Sequence, residues 1–390
     1  MGLVGEKYKK TELGLIPSDW EVKTLGELGK FSKGSGVRKD EALSGDIPCI
    51  RYGELYTRHS DYIKQFYSFI SKDIAITAKK LKVGDILFAG SGETKEEIGK
   101  SVAFVNDFEA YAGGDIVILS PTTADTLYLG YLLNAPFIQK QKASRGQGDA
   151  VVHISATQLG NIKIPLPPTI AEQTLIATAL SDADALISSL EKLIAKKRNI
   201  KQGAMQKLLQ PKEGWEVKKL GEVAEIYTGK KNNQDKVENG TYPFFVRSQT
   251  VESINSYSFD GEAILIPGEG NIGKIFHYIN GKFDYHQRVY KISDFKDGYF
   301  GKYIYRYISE YFGRHAMENS VKATVDSLRL PTFQVFEIPF PLTMNEQVEI
   351  SNILSDMDAE ITALETKLEK YKKVKLGMMQ ELLTGRIRLI

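Results

Sequence analysis

The sequence predicts an α+β fold in which two domains of mixed α/β structure are separated by two long helices forming an intramolecular coiled coil. Three observations predict it: an internal repeat, two helical segments with matching apolar stripes, and glycine-rich segments with short apolar runs between them. Because each kind of segment occurs twice, we expect the two halves to be related by a pseudo-two-fold internal repeat.

The repeat consists of two kinds of short block. Trp20–Glu27 recurs as Trp215–Glu222, and we call these the Trp blocks. Ile164–Pro167 recurs as Ile338–Pro341, and we call these the Pro blocks; each leads into a Glu-Gln pair. The Trp blocks are 195 residues apart and the Pro blocks 174, so the insert between them is longer in the first half. With two copies and no short period, the chain is not a solenoid.

The blocks and the helical segments divide the chain into five parts. We expect an N-terminal segment, a first domain, a central long helix, a second domain, and a C-terminal long helix with a tail, at residues 1–19, 20–165, 166–212, 213–340 and 341–390.

The composition excludes several classes of protein. A hydrophobic fraction of 42% in 390 residues is enough to bury sizeable cores. No run of about eighteen apolar residues occurs and the N-terminal Met1–Lys10 is polar, which predicts neither a membrane span nor a secretory signal and favours the cytoplasm. Cys49 is the only cysteine, which excludes an intrachain disulfide and a thiolate zinc cluster.

Metal and charge give weaker indications. The five histidines never fall at a close ligand spacing such as i, i+4, so we expect no metal and no cofactor. The formal charge of +2 argues against a wholly basic nucleic-acid binder, although a basic patch offset by acidic residues elsewhere stays open.

Two segments predict long amphipathic helices. The first, Ile170–Gln210, begins after Pro167-Pro168 and contains no proline. Its apolar rows recur in register in the second copy; they are Ile176, Ala183, Leu190 and Ala204 beside Leu180, Ile187, Ile194 and Leu208, then Ile350, Met357, Leu364, Tyr371 and Met378 beside Leu354, Ile361, Leu368 and Leu382. A helix of roughly 39 residues is about 58 Å long, so the two stripes favour pairing as a coiled coil, with two separately packed helices as the alternative.

The segments between the blocks predict small, mainly β modules. Short apolar runs such as Asp85–Phe88, Asp115–Leu119 and Glu262–Ile266 are separated by clusters of glycine, asparagine and aspartate. We therefore expect the functional side chains of both modules to lie in loops.

Several segments together resemble the specificity subunit of type I restriction-modification enzymes. They are Leu13–Trp20, the two Pro blocks leading into Glu-Gln, and Met378–Arg388. The resemblance covers almost the whole chain and rests on the joint, repeated order of the blocks. It implies two target recognition domains that each read one half of a split, asymmetric DNA sequence, and two long helices that form an antiparallel coiled coil. It also implies that the N-terminal segment packs near the end of the C-terminal helix.

The resemblance further implies the partners. The helices would dock methyltransferase subunits, expected to be two, and restriction subunits would join through the complex, with double-stranded DNA as the target. An antiparallel helix pair presents its two domains in related orientations, as dimeric DNA readers do. Lengthening the helices should therefore lengthen the unread gap between the half-sites.

Two loops have partial phosphate-binding spacing. Gly268–Lys274 fits G-x-x-x-x-G-K, but Ile275 stands where a Ser or Thr hydroxyl should hold Mg²⁺. In the first half, Gly90–Ser101 has a hydroxyl but the wrong glycine spacing. The better functional interpretation is a turn that brings Lys100 or Lys274 near a DNA phosphate, and a plain β-turn is the alternative.

The sequence offers little for catalysis. An amino-methyltransferase needs an Asn/Asp-Pro-Pro-aromatic loop, and the Pro-Pro here, Pro167-Pro168, follows Leu166. The Glu-x-Lys triplets in the Trp blocks suit solvent-exposed strand edges better than a nuclease centre. We therefore expect a non-enzyme whose partners cut and methylate. Two alternatives stay open: a coiled-coil adaptor without direct DNA contact, and a fused restriction enzyme with cryptic catalysis. Footprinting of the purified complex on DNA tests the first, and an assay of methyl transfer by the chain alone tests the second.

The candidate DNA-binding residues are side chains that can fork hydrogen bonds, stack or contact phosphate from loops that differ between the modules. In the first module they are Lys33, Ser35, Arg38, Arg51, Tyr52, Arg58, Lys100, Arg145, Gln147 and His153. In the second they are Lys230, Lys231, Asn232, Asn233, Arg247, Gln249, Lys274, His286, Gln287, Arg288 and Lys322. Arg51 and Arg247 are the best candidates because they follow comparable turns, although a surface charge without a DNA role is the alternative for each.

Overall fold

A computed structural model describes residues 7–148, 151–320 and 327–389. The chain forms two units: the first is Met1–Glu191 with Lys367–Ile390, and the second is Lys192–Thr366. Both mix helices and strands, so the predicted fold class is confirmed. The units divide each long helix, whereas the predicted boundaries follow the helix ends, and those boundaries stay a prediction.

The first half of the chain contains fourteen described strands and six short helices before the first long helix. In chain order they are β1 Tyr8–Thr11, β2 Gly14–Pro17, β3 Glu21–Thr24, α1 Leu25–Leu28, β4 Gly29–Lys33, β5 Ile47–Ile50, α2 Tyr52–Thr57, β6 Ser68–Ile70, α3 Lys72–Thr77, β7 Lys79–Lys80, β8 Ile86–Ala89, β9 Ser91–Gly92, β10 Ser101–Ala103, β11 Tyr111–Ala112, β12 Ile116–Pro121, α4 Thr126–Leu132, α5 Pro136–Ala143, β13 Val152–His153, α6 Ala156–Gly160 and β14 Lys163–Leu166.

The second half begins with the long helix and ends with another of equal length. Its described elements are α7 Ile170–Leu208, β15 Glu216–Lys219, α8 Leu220–Val223, β16 Glu225–Thr228, β17 Tyr242–Phe245, β18 Glu252–Ile254, β19 Phe259–Pro267, β20 His277–Tyr285, β21 Val289–Ser293, α9 Gly301–Glu318, α10 Leu330–Gln334, β22 Glu337–Phe340 and α11 Met344–Leu382. Across the described ranges, no helix is both long and apolar enough to cross a lipid bilayer.

The duplication seen in the sequence is a duplication of sheet topology. The first unit has strand orders β10-β8-β12-β4 and β6-β5-β11-β7, and the second has β16-β21-β19-β20-β17-β18. β8, β12 and β4 thus correspond to β19, β21 and β16, while β5 and β6 correspond to β17 and β18. The nine-residue β20 pairs with both β19 and β17, whereas its counterparts β10 and β11 are two short strands.

The repeated blocks recur because they pair with each other. In the first unit β3, from the Trp block, lies antiparallel to β14, from the Pro block, with Lys23 opposite Ile164. In the second unit β15 pairs with β22 in the same way, with Lys218 opposite Ile338. Each pair joins the start of a domain to the strand that leads into a long helix, so each closes its domain at the helix.

The Glu-Gln pair after each Pro block also has a structural role. Gln173 and Gln347 are both 2% exposed. The Gln173 amide oxygen accepts from the Asp125 backbone N–H at 2.8 Å, just before α4, and the Gln347 oxygen accepts from Phe300 N–H at 2.9 Å, just before α9. The Gln347 side chain also donates to the Gly298 carbonyl at 3.0 Å. Each glutamine therefore holds the start of a domain helix against the long helix.

Each unit has its own apolar core, to which a long helix contributes. In the first, Trp20 is fully buried in one cluster with Ile176 and Leu180 of α7. In the second, Leu220 of the Trp block shares a cluster with Leu354 of α11. The apolar stripes predicted from the sequence therefore also pack against the domains, which a coiled coil alone would not require.

Segments of α7 and α11 contact each other in both units. In the first, Lys375 pairs with Asp184 at 2.7 Å and Lys372 with Glu191 at 3.8 Å. In the second, Lys201 pairs with Asp358 and Arg198 with Glu365. In each unit the numbering falls along one helix as it rises along the other, so these segments run antiparallel. Pairing over the full length as a coiled coil stays a prediction.

The helix ion pairs are themselves repeated. Asp184 and Asp358 are 174 residues apart, as are Lys201 and Lys375, and this is the spacing of the Pro blocks. In the first unit the Tyr131 hydroxyl donates to Asp184 at 2.8 Å. In the second, the Arg306 guanidinium contacts Asp358. Each aspartate therefore joins both helices to a helix of the adjoining domain.

The two chain ends meet in the first unit. Arg388 donates to Asp19 at 2.9 Å and to the buried Glu172 at 2.8 Å, and the Tyr8 hydroxyl donates to the Arg386 carbonyl at 3.2 Å. In the second unit, Lys212 takes the comparable place beside Glu346 at 3.0 Å. Arg388 from the C-terminal tail thus pairs with Glu172 in the first unit, as Lys212, which follows α7, pairs with Glu346 in the second.

We predict that Gln347→Ala destabilises the second unit by about 1–3 kcal/mol, because it removes two hydrogen bonds of the buried Gln347 amide, one from the partly buried Phe300 N–H and one to the Gly298 carbonyl. Chemical denaturation of the two proteins measures the change. Gln202→Ala is the matched control, since Gln202 is exposed and its side chain donates to the side chain of Glu310. Equal midpoints for both variants would contradict the role given to Gln347.

We predict that Asp358→Asn destabilises the protein most at neutral pH. Burial would raise the pKa of Asp358, but the hydrogen bonds from Lys201 and Arg306 outweigh it and hold the pKa below its usual value. A carboxylate with a depressed folded pKa contributes stability above its unfolded pKa, about 3.9, and loses it as the pH falls through the folded pKa.

Melting temperatures of the wild type and Asp358→Asn, measured from pH 7 downward, test this. The difference should be largest at neutral pH and shrink below about pH 4. Asp356→Asn, on the exposed part of the same helix, should have little effect at either pH. A difference for Asp358→Asn that stays constant down to acidic pH would exclude the charged pairs as its origin.

Candidate nucleic-acid interface

Loops from four places in the chain meet in the second unit. The His286 N–H donates to the Phe245 carbonyl at 2.9 Å and Gln287 N–H to the Lys231 carbonyl at 2.8 Å. The Gly268 N–H donates to the Arg288 carbonyl, also at 2.8 Å. These backbone bonds bring the segments after β16, β17, β19 and β20 side by side. Most candidate residues of the second module lie in these segments.

The centre of this loop cluster is charged. Glu269 lies 3.3 Å from the Arg288 guanidinium and 3.4 Å from that of Arg247. A cavity of about 490 Å³ opens beside them, and Asn233, Lys236, Ser248 and Asn271 are among its other lining residues. Sequence reasoning identified both arginines but missed Glu269, which it treated only as part of a phosphate-loop spacing.

The other candidates of the second module differ in accessibility. Lys230, Asn233, Gln249, Lys274 and Gln287 are exposed, whereas Lys231 and Asn232 are half-buried. His286 is buried, its Nδ1 accepts from the Arg288 backbone N–H at 2.9 Å, and burial lowers its pKa. A neutral, internally bonded imidazole shapes the loop more than it offers a contact to a ligand. Lys322 lies outside the described residues.

The cleft of the first unit is also lined in part by polar side chains. Lys33, Gln147 and His153 line a cavity of about 610 Å³ together with Ser91 and other residues. The Ser91 hydroxyl is hydrogen-bonded to Nδ1 of His153 at 2.9 Å. Only these three of the first module's candidates line this cleft.

The remaining candidates of the first module lie elsewhere. Tyr52 and Arg58 are exposed at the two ends of α2, and Arg38 and Ser35 are exposed in the loop after β4. Arg145 is half-buried and donates to the Gln141 and Asn161 carbonyls.

Lys100 is half-buried, and burial lowers its pKa. It is therefore less accessible to a DNA phosphate than Lys274, which is exposed at the corresponding loop of the second module.

The two favoured arginines do not occupy equivalent positions. Ile50 and Phe245 are equivalent, because each accepts a backbone N–H from the residue after the parallel partner strand. Arg51 follows Ile50 directly, whereas Val246 stands between Phe245 and Arg247. Arg51 is half-buried, donates to Ser68 Oγ at 3.3 Å and lies 3.6 Å from the buried Glu54.

The closest match between the modules is the loop after the central strand. The Gly90 N–H donates to the Asp115 carbonyl, and the Gly90 carbonyl accepts from the Ile154 N–H. In the same way, the Gly268 N–H donates to the Arg288 carbonyl and the Gly268 carbonyl accepts from the Leu328 N–H. Ser91 therefore stands where Glu269 stands in the second module. The backbone is shared, but the side chains differ in charge and hydrogen-bonding capacity.

The phosphate-loop spacing of Gly268–Lys274 has a different structure around it. The segment connects β19 to β20, and the buried Ile275 precedes another strand. A P-loop presents its backbone N–H groups at the start of a helix. The segment leads instead into the β-sheet, and its Gly270 and Gly273 adopt positive φ angles that suit tight turns.

Comparison with known proteins agrees with this architecture. The family model described as the type I restriction modification DNA specificity domain matches residues 17–202 and 212–374. The putative type I restriction enzyme MjaX specificity subunit of Methanocaldococcus jannaschii is 28% identical, with 98% of this chain and 97% of the relative covered. The MjaVIII specificity subunit of the same organism is also 28% identical, with 98% and 96% covered.

Solved structures show the same fold. The S subunit of a type I restriction-modification system from M. genitalium matches with a TM-score of 0.64 and 16% identity, over 93% of this chain and 96% of the other. A structure described as showing complex assembly and conformational transition of the type I R-M system matches with a TM-score of 0.57 and 15% identity, over 95% and 99%. Because the family model matches twice and covers most of the chain, this chain belongs to the family of type I restriction-modification specificity subunits.

Proposed function

We propose that the chain binds a bipartite, asymmetric DNA sequence and directs partner methyltransferase and restriction subunits to it in the cytoplasm, without catalysing a reaction itself. The observation that carries this proposal is the shared loop backbone after β8 and β19, which presents Ser91 in one module and Glu269 in the other. Two modules with one backbone plan and different side chains suit two different half-sites.

The side chains at these loops suit base reading. Guanidinium groups bind the two acceptors of guanine in the major groove, and carboxamides bind adenine in the same bidentate manner. Arg247 and Arg288 with Asn233 and Asn271 supply these groups in the second module. Gln147, His153 and Lys33 supply donors in the first.

Partner subunits complete the proposal. With a formal charge of +2, the chain has little excess positive charge for sequence-independent attraction to DNA. We therefore assign part of the affinity to methyltransferase subunits, expected to be two, with restriction subunits joining through them. A related structure is described as concerning complex assembly of the type I R-M system, which supports the existence of partner subunits.

Mapping methylated adenines in a host genome tests the proposed function. We expect a split motif with two unlike halves when the chain is produced with its partner methyltransferase subunits, and no such motif when those subunits are produced alone. Methylation at the same sites without the chain would assign recognition to the partners. A continuous motif would contradict reading by two separate modules.

Substitution of the two favoured arginines tests which half-site each module reads. Arg247→Ala should relax one position of one half-site by about 1–3 kcal/mol, or roughly 5-fold to 150-fold in discrimination. Arg51→Ala should weaken the other half-site and also lower the melting temperature, because Arg51 is bonded to Ser68 and lies beside the buried Glu54.

Binding to DNA with single base changes measures both effects. Lys296→Ala and Lys30→Ala are the charge-matched controls, since both lysines are exposed and lie away from these loops. An equal loss of affinity for every sequence would identify Arg247 or Arg51 as a phosphate contact.

A further inference from the structure

Glu269 is the acidic residue at the centre of the second module's loop cluster. Glu269 lines the cavity, its carboxylate contacts both Arg247 and Arg288, and its side chain is 24% exposed. The two guanidinium contacts of 3.4 and 3.3 Å are longer than the 2.7–2.9 Å typical of charge-assisted hydrogen bonds. A carboxylate has about four acceptor sites, so both arginines together leave Glu269 able to accept a further donor.

The ion pairs of Glu269 with Arg247 and Arg288 do not indicate that Glu269 is needed for the stability of the fold. Arg247 and Arg288 are 42% and 52% exposed, and ion pairs between exposed groups contribute little to folding stability. The backbone of the loop is already held by two hydrogen bonds, from the Gly268 N–H to the Arg288 carbonyl and from the Leu328 N–H to the Gly268 carbonyl. The first module builds the same backbone with Ser91 in place of Glu269, so the loop does not need an acid.

The chemistry of the carboxylate limits what it can bind. An ionised carboxylate only accepts hydrogen bonds and repels phosphate. The donors on base edges in the major groove are the exocyclic amines of cytosine and adenine, and adenine places its N7 acceptor beside that amine. Glutamate is therefore suited to the N4 amine of cytosine, and the guanine paired with it offers O6 and N7 to an arginine.

We propose that Glu269 is a specificity-determining residue that accepts a hydrogen bond from the N4 amine of a cytosine. Arg247 or Arg288 then binds the guanine of the same base pair or of the adjacent one. The half-site read by the second module then contains a C·G pair. This inference rests on the proposed function, because it concerns bases read by that module. Ser91, whose hydroxyl can donate or accept, imposes no such preference on the first half-site.

The test uses the full complex of the chain with its methyltransferase subunits. Glu269→Gln, Glu269→Asp and the wild type are compared by mapping methylated sites and by binding DNA with each base at each position of both half-sites. We expect Glu269→Gln to lose discrimination for the C·G pair by about 5-fold to 150-fold and to admit A·T there, since glutamine also donates. Glu269→Asp keeps an acceptor-only group and should keep the cytosine preference.

Glu225→Gln is the matched control. Glu225 is exposed at the start of β16, opposite Ser293, whereas the loop cluster follows Thr228 at the other end of the strand. The Glu225→Gln substitution removes one negative charge from the same module, as Glu269→Gln does. We expect the DNA motif that the complex recognises to stay unchanged.

Three results would overturn the inference. One is a motif for Glu269→Gln that is unchanged at every position. Another is a uniform rise in affinity for all sequences without a change of motif, which would make Glu269 a stand-in for phosphate between the two arginines. The third is the absence of a C·G pair from the half-site that Arg247→Ala assigns to the second module. This third result does not depend on the folding of the Glu269→Gln variant.

The outcome also separates this inference from the proposed function. If the wild-type complex shows no split motif, the proposed function fails. If the wild type reads a split motif and Glu269→Gln keeps all its bases, only the role of Glu269 fails.

Discussion

The antiparallel strand pair between each Trp block and its Pro block is the constraint on which the rest of each unit depends. β3 with β14, and β15 with β22, join residues that are more than a hundred positions apart in the chain. Once they are joined, the segment between them forms a closed domain and the following residues enter the long helix. Gln173 and Gln347 then attach the start of a domain helix at the same junction. The junction thus accounts for the recurrence of both blocks and of the glutamine.

The same constraint explains why the module interiors could diverge. The bonds that close each domain lie in the blocks, and the central strands need only apolar residues that fill the core. The loops after the strands carry no part of this closure. They can therefore change in charge, as Ser91 and Glu269 show, while the backbone bonds of the preceding glycines stay the same. A protein that must read new DNA sequences without losing its fold benefits from this separation.

Much of the fold could be predicted because its signals are local or repeated. The apolar periodicity of Ile170–Gln210 predicts a long helix, and α7 runs from Ile170 to Leu208. Site prediction was less complete. The candidate lists contain Arg247 and His153, which line the cavities, and Arg288, which contacts Glu269. They also contain Arg145 and His286, whose side chains make internal hydrogen bonds. Residue type shows what a side chain can bind, whereas burial and existing partners decide whether it is free to do so.

The sequence alone determined the internal duplication, the two long helices and the family membership suggested by the order of the blocks. These properties follow from the spacing of residues along the chain. Only the tertiary structure decided which loops meet and in what register. It showed that Arg247 stands one residue further along its loop than Arg51 does in the equivalent loop of the first module. It also brought Ser91 next to His153 and Glu269 next to two arginines. The physical reason is that these pairings depend on strand register and loop closure, which arise from contacts between distant residues and leave no periodic pattern in the sequence.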